Sequence, residues 1–219
     1  DQIVVLTKAA KIEWEKTHSN VCLIHNPIPF DIEKTARSQI FNRVIAIGRL
    51  EDQKGFDLLV QSWKRVSNKH LGWQLDIYGE GSKKEQLFDL IHKNDLEKSI
   101  KLKGVSKQIK KELLSSDFYV MSSRYEGLPM VLLESIACGL PIVSFDCPTG
   151  PAEIIENNDC GLLALNGDIV DLTEKIMLMI ENPELRFEKS RVALNKAKLY
   201  TLDRIMSQWE GLFRTLKSR

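Results

Sequence analysis

Several things are scarce or missing in this chain, and each absence narrows what it does. No apolar stretch approaches the roughly 20 residues that a membrane-spanning helix needs, and no charged-then-apolar leader opens the sequence, so a soluble protein is expected, able at most to work at a membrane surface. Charge of one sign is lacking too. Lys+Arg number 31 against 30 Asp+Glu, leaving +1 at pH 7, so no global field draws the chain onto DNA or anionic lipid, and nucleic acid is not expected as a partner. Only 12 Gly and 7 Pro, with no internal repeat and no low-complexity segment, exclude collagenous and disordered classes. Cys22, Cys138, Cys147 and Cys160 form no CxxC pair, which points to free thiols in a reducing compartment rather than to a zinc site.

What is present is ordinary for a globular protein: 43% hydrophobic and 28% charged residues in a chain of 219, enough for one large domain or two small ones. The chain opens Asp1-Gln2-Ile3-Val4-Val5-Leu6 without an initiator Met, which reads as a cut into the middle of an element of a larger parent. Residues 3–6 and 21–24 are short runs of strand type around a polar helical stretch, Ala9–Thr17, and Asn26-Pro27-Ile28-Pro29 stiffens the chain into a linker. Strand-like runs then recur at Val44–Ile47, Gln74–Tyr78, Ile100–Leu102, Phe118–Met121, Pro141–Phe145 and Gly161–Leu163, with helical patterns in nearly every gap between the first five. In the first crossover, Leu58, Leu59, Ser62, Trp63 and Val66 fall on one face of a helix. Such alternation predicts an α/β fold: a Rossmann-like, mostly parallel sheet with helices on both faces, binding ligands beyond the carboxyl ends of its strands. After residue 168 the strands stop and helical patterns follow at Ile169–Ile180, Pro183–Lys198 and Leu202–Leu216, the last capped within Tyr200-Thr201-Leu202-Asp203.

The stretch from Arg124 to Glu134 carries the most chemistry. Gly127 and Pro129 suit a tight turn into a helix that starts near Pro129, because proline is welcome at a first helical position where no donor is needed. Unpaired amides there and the positive end of the helix dipole make an anion site, for which phosphate is the natural guest. Glu126 precedes the first turn and Glu134 projects from the second, so two carboxylates flank one anion pocket. Taken as a random pair, such glutamates are a cap and an exposed helix residue. Arg49, after the first strand of the regular region, and Lys54, just before the next helix, emerge at the same sheet edge. Either alone is a surface charge; together with a helix N-terminus they describe a diphosphate clamp.

These residues resemble a family. From Val44 to about Leu165 the chain looks like the donor-binding domain of retaining glycosyltransferases of the GT-B fold, family 4. The matching pieces are Gly48-Arg49-Leu50, Lys54-Gly55, Tyr78-Gly79-Glu80-Gly81, Gly104-Val105, Ser122-Ser123-x-Tyr125-Glu126-Gly127 with Glu134 eight residues on, and Ala137-Cys138-Gly139-Leu140-Pro141-Ile142-Val143. With the final helices the likeness covers nearly the whole chain, and Asp146-Cys147-Pro148-Thr149-Gly150-Pro151-x-Glu153-Ile154-Ile155 is most similar to bacterial members that build surface polysaccharides.

The resemblance implies that Arg49 and Lys54 hold the donor diphosphate and stabilise the charge developing on the leaving phosphate. It implies that Glu126 contacts hydroxyls of the donor sugar, with the Gly127 and Leu128 amides near the sugar or the β-phosphate. Glu134 would accept from the ribose hydroxyls, and backbone groups at Gly104 and Val105 would read the base, with nothing there announcing uracil over guanine. Gly79 and Gly81 do not complete GxGxxG and read as a structural turn, which leaves a dinucleotide-dependent dehydrogenase a weak reading. Asp76, Asp117 and Asp146 form no Asp-x-Asp, and with the phosphates neutralised by Arg49, Lys54 and the helix terminus no metal or other cofactor is expected. His18, His25, His70 and His92 are given surface or hinge roles.

The resemblance further implies three segments: residues 1–28 as the tail of an N-terminal acceptor domain with its linker, 29–198 as the donor-binding domain, and 199–219 as a helix crossing back, its face of Ile205, Leu212 and Leu216 exposed in this chain. The reaction expected is transfer of a hexose or N-acetylhexosamine from a UDP-sugar, or a GDP-sugar, to a glycan or lipid-linked acceptor in O-antigen- or capsule-like synthesis. That places the protein in the cytoplasm, peripheral to the inner face of the cytoplasmic membrane, with this piece alone binding donor weakly and turning over poorly. A non-catalytic nucleotide-sugar-binding or scaffold module is the other class, and losing turnover in a Glu126→Ala variant of the full-length parent separates the two.

Overall fold

The structure, a computed structural model, describes residues 2–36 and 39–218. Asp1, Arg37, Ser38 and Arg219, which fall within the three expected segments, lie outside the described residues. At the start, β1 (Ile3–Val5), α1 (Lys8–Glu15) and β2 (Val21–Leu23) form a small parallel βαβ unit. Thr7 caps α1 by accepting a hydrogen bond from the Ala10 amide at 3.1 Å.

A six-stranded sheet follows. Its strands are β3 (Arg43–Ile47), β4 (Gln74–Tyr78), β5 (Ile100–Gly104), β6 (Phe118–Met121), β7 (Ile142–Phe145) and β8 (Gly161–Ala164). All pair in parallel in the order β5-β4-β3-β6-β7-β8. The Rossmann-like expectation therefore holds, strand for strand. Parallel strands joined by helical crossovers are covered on both faces, which is why β6 and β7 are buried along their whole length and β6 reads as a continuous apolar run, β7 as one interrupted only by Ser144.

Alternation along the strands divides the core in two. Val44 and Ala46 of β3 face α2 (Phe56–Lys69), α3 (Lys84–Lys93) and α7 (Ile169–Glu181), packing among Leu59, Trp63, Ile91 and Ile176. Ile45 of β3 faces the other layer, with Tyr119, Leu113 of α4 (Ile109–Leu114), Leu133 of α5 (Met130–Ala137), Ile154 of α6 (Pro151–Ile155) and Ala193 of α8 (Pro183–Ala197). The stripe read on α2 is buried as expected apart from Leu58, which is only partly covered. Its one polar member, Ser62, is satisfied 2.9 Å from the Thr173 hydroxyl of α7.

Three local details refine or correct the expectation. Pro129 occupies the cap position with an extended ψ of 100°, so α5 begins at Met130. Helix α6 stands in the β7–β8 connection, where no helical pattern is expected; its five residues are too few to show a period. In the last helix, α9 (Leu202–Lys217), Ile205 is buried at 1% exposure, while Leu212 is half-buried and Leu216 exposed. Thr201 sits at its N-cap with an extended backbone but no side-chain cap bond.

Candidate functional site

The strand order reverses between β3 and β6: β3 runs on through α2 to β4 on one side, β6 through α5 to β7 on the other. Chains leaving neighbouring strands in opposite directions open a crevice at their carboxyl ends, where ligands of such sheets bind. Its walls are the loop Gly48–Gly55 after β3 and the loop Ser122–Pro129 after β6.

These loops are stitched together by hydrogen bonds that run from one to the other. The Ser122 hydroxyl donates to the Lys54 carbonyl at 2.9 Å, the Arg124 amide to the Gln53 carbonyl at 2.8 Å, and the Gln53 side-chain amide to the Tyr125 carbonyl at 3.0 Å. The Arg124 guanidinium donates to the Asp52 carbonyl at 2.6 Å and takes both Asp57 carboxylate oxygens, at 2.9 and 2.7 Å. Burial pushes the Asp57 carboxyl up, but Arg124 outweighs it and holds the group below its ordinary range. Gly55 is what lets the loops meet. It has φ 60°, and a Cβ there would stand 2.1 Å from the Ser122 carbonyl oxygen.

Of the sequence-derived site residues, Lys54 and Glu126 meet most closely. The Lys54 ammonium lies 2.6 Å from the Glu126 carboxylate, with side chains 18% and 7% exposed. The lysine stem runs over Gly48, where a Cβ would sit 3.1 Å from its methylenes. Two groups read separately, as phosphate clamp and sugar contact, are thus one ion pair bridging the crevice. Arg49 stands exposed on the same loop as Lys54, its guanidinium donating to the Gln53 side-chain oxygen at 3.3 Å.

Beyond Glu126 the backbone offers donors. Among the described residues the amides of Gly127, Leu128, Met130 and Val131 have no acceptor, the last two being orphans of the first turn of α5. A Cβ at Gly127 would meet nothing within 4 Å, so the chain there faces open space. Glu134 projects from the second turn of α5, half-buried, its carboxylate with neither hydrogen bond nor ion pair among the described residues, while its carbonyl accepts from the Cys138 amide at 3.2 Å. Burial alone raises its carboxyl above the ordinary value. Gly104 and Val105 lie at the end of β5, two strands from β3; Val105 is exposed, while the Gly104 carbonyl is taken by the Gly79 amide at 2.9 Å.

The other polar candidates fall outside the crevice or on its rim. Asp117 accepts from the Phe41 and Arg43 amides, and Asp76 pairs with Arg43 at 2.7 Å, both bracing the sheet. Asp146 is exposed. His25 has Nδ1 2.8 Å from the Leu6 carbonyl and Nε2 3.7 Å from the Glu153 carboxylate. Among the described residues no group of three or more His, Cys, Asp or Glu is placed to hold a metal ion, and no helix is long and apolar enough to cross a membrane.

Comparison with known proteins places this architecture. Residues 28–198 match the family Glycosyl transferases group 1. The chain is 36% identical over 228 residues to the amylovoran biosynthesis glycosyltransferase AmsD of Erwinia amylovora, covering 97% of this chain and 62% of that protein. It is 32% identical over 221 residues to the poly(ribitol-phosphate) alpha-N-acetylglucosaminyltransferase of Staphylococcus aureus, covering 96% and 43%. The crystal structure of a point mutant of S. aureus TarM in complex with fondaparinux, alpha-GlcNAc-glycerol and UDP superposes with a TM-score of 0.88 at 29% identity, covering 97% of this chain and 43% of that one. The chain thus spans between about two-fifths and three-fifths of the length of these relatives.

Proposed function

The chain belongs to the group 1 glycosyl transferases, and on that premise we propose that it is the donor-binding part of a retaining, metal-independent glycosyltransferase that moves a hexose or N-acetylhexosamine from a UDP-sugar. The observation carrying this reading is the convergence at the β3/β6 crevice of a cation, an ion pair, and a row of amides and a carboxylate that have no partner among the described residues. A nucleoside diphosphate sugar asks for that set of groups in that order.

In this reading Arg49 and the free amides of Gly127 and Leu128 bind the diphosphate, and their dipoles and charge are fixed before the reaction begins. Such preorganised donors lower the barrier most when aimed at charge that develops on the leaving group. Lys54 lies between the phosphates and Glu126, so as the leaving phosphate gains charge the lysine shares itself between two anions. Glu126, oriented by Lys54, accepts from hydroxyls of the donor sugar. Glu134 accepts from the ribose diol; the desolvated carboxylate that destabilises the free chain is matched by two hydroxyl donors. Backbone groups near Gly104 and Val105 meet the base. With Arg49, Lys54 and the α5 terminus supplying positive potential, the diphosphate is neutralised without a divalent ion. Both named relatives are glycosyltransferases, one of amylovoran biosynthesis and one acting on poly(ribitol-phosphate), which supports a surface-glycan or lipid-linked acceptor, with any membrane contact peripheral.

Calorimetric titration of the chain with UDP, GDP, UDP-glucose, UDP-GalNAc and GDP-mannose tests the proposal, repeated with Arg49→Ala and Glu134→Ala. Saturable binding of one nucleotide class, lost in both variants, is expected. Binding that survives both substitutions would place the nucleotide elsewhere and remove the reading.

A further inference from the structure

The connection after β7 contains a feature that the roles above leave unused. Thr149 has φ 62°, a left-handed conformation that is a genuine outlier for a β-branched residue and costs on the order of 1–3 kcal/mol. Its neighbour Gly150 has φ 90°, and a Cβ there would lie 2.4 Å from both the Gly127 carbonyl oxygen and the Pro129 ring. Strain of this kind persists only where the surroundings over-determine it. Here the surroundings are the loop that carries Glu126.

The contacts are reciprocal. The Glu126 amide donates to the Pro148 carbonyl at 3.3 Å, and the Thr149 hydroxyl donates to the Glu126 carbonyl, with the Pro148 carbonyl a second acceptor at 2.8 Å. Both backbone polar groups of Glu126 are therefore gripped by residues 148 and 149. The peptide joining Glu126 to Gly127 is a rigid trans plane, so its carbonyl and the Gly127 N–H point in opposite directions. Holding the carbonyl toward Thr149 turns the Gly127 N–H away from the 148–150 loop. That amide has no acceptor among the described residues, and the space around Gly127 is open.

From this we infer that Thr149 is a positioning residue: its hydroxyl, by fixing the Glu126–Gly127 peptide plane, aims the Gly127 amide at the diphosphate end of the donor. The inference rests on the donor-site reading and adds a residue on a different connection, 23 positions downstream of Glu126. The strained backbone is the means by which a short side chain reaches that carbonyl; an extended residue 149 would carry its hydroxyl elsewhere.

The test uses calorimetric titration of the chain with UDP and with UMP, or with GDP and GMP if guanine is the base that binds, on three variants. Thr149→Val keeps the shape and the β-branch but removes the hydroxyl, Thr149→Ser keeps the hydroxyl, and Thr149→Gly relieves the strain and removes the hydroxyl. Loss of one oriented hydrogen-bond donor to a phosphate is expected to weaken diphosphate binding roughly five- to tenfold in the Val and Gly variants. Monophosphate binding should hold within about twofold, with Ser close to the parent. A loss of general structure would lower both nucleotides together and would spare neither Ser nor the melting temperature. Thr149→Gly retaining full diphosphate affinity, or Val and Ser weakening alike, would overturn the positioning role while leaving the donor site standing. A parent chain that binds no nucleotide would overturn the donor-site reading, and the inference with it.

Discussion

Replacing Lys54 by Met removes the charge at the centre of the crevice while keeping the stem that lies over Gly48. The Glu126 carboxylate, 7% exposed, is then left without its partner at 2.6 Å. Breaking a buried pair from one side costs about 3–5 kcal/mol, and the 18% exposure of the lysine side chain puts this pair at the lower end, about 3 kcal/mol. For a chain of this size each kcal/mol moves the melting point by about 2–4 °C, so a fall of roughly 6–12 °C is expected. Glu126→Gln should cost less, about 1–2 kcal/mol, because the ammonium can turn toward water. The double variant Lys54→Met/Glu126→Gln leaves no unpaired buried charge and should lie within about 1 kcal/mol of the parent, giving a coupling of about 3 kcal/mol or more in the cycle. Urea and thermal unfolding of the four proteins measures it. A Lys54→Met shift under about 2 °C with coupling below about 0.5 kcal/mol would mean a screened surface pair, and the bridge across the crevice would be refuted.

Other outcomes follow from the same geometry. Gly55→Ala should destabilise the chain by at least about 2 kcal/mol in urea unfolding, since it combines a positive φ with a Cβ 2.1 Å from the Ser122 carbonyl; a neutral result would mean the two loops are not in backbone contact. Glu134 has its carboxyl raised by burial, so its ionisation disfavours the fold. Stability from this group is complete below the unfolded carboxyl value and is lost as pH rises through the raised one. Glu134→Gln should therefore raise the melting temperature at pH 7, with the gain vanishing in the acid range, and weaken nucleotide binding at the same time. Burial holds the Cys147 thiol up at about 12 and the Cys160 thiol at about 11. At pH 8 these two should resist a thiol reagent in the folded chain while half-buried Cys22 reacts, and all four should react in urea.

The parts of the fold that are legible in the sequence are those where one period runs long enough to be read. The α2 stripe and the apolar runs of β6 and β7, the latter broken only by Ser144, announce their own environment, because burial on one face or on both leaves a readable mark. Helix α6 leaves none: five residues behind a left-handed Gly150 contain barely more than one turn. Ile205 belongs by pattern to an exposed stripe, since a pattern states which residues are apolar and not which of them finds a neighbour. In the site, Glu126, Glu134, Arg49 and Lys54 are visible as residue types at fixed spacings. The pairing of Lys54 with Glu126 is not, because it joins two loops 72 positions apart. Gln53, Arg124 and Thr149 are hidden for the same reason. Their work is done on backbone carbonyls of another connection, and no spacing within one segment signals it.

A nucleoside diphosphate bound across the carboxyl ends of β3 and β6 would be seen in an amide chemical-shift map of the isotopically labelled chain titrated with UDP. Saturable shifts are expected at Gly127, Leu128, Met130 and Val131, extending to Arg49 on one side and Val105 on the other, with the groove between α3 and β5 silent. Shifts that saturate but cluster along Lys84, Phe88 and Lys101 in that groove, leaving the amides after Glu126 unmoved, would contradict binding at the β3/β6 crevice.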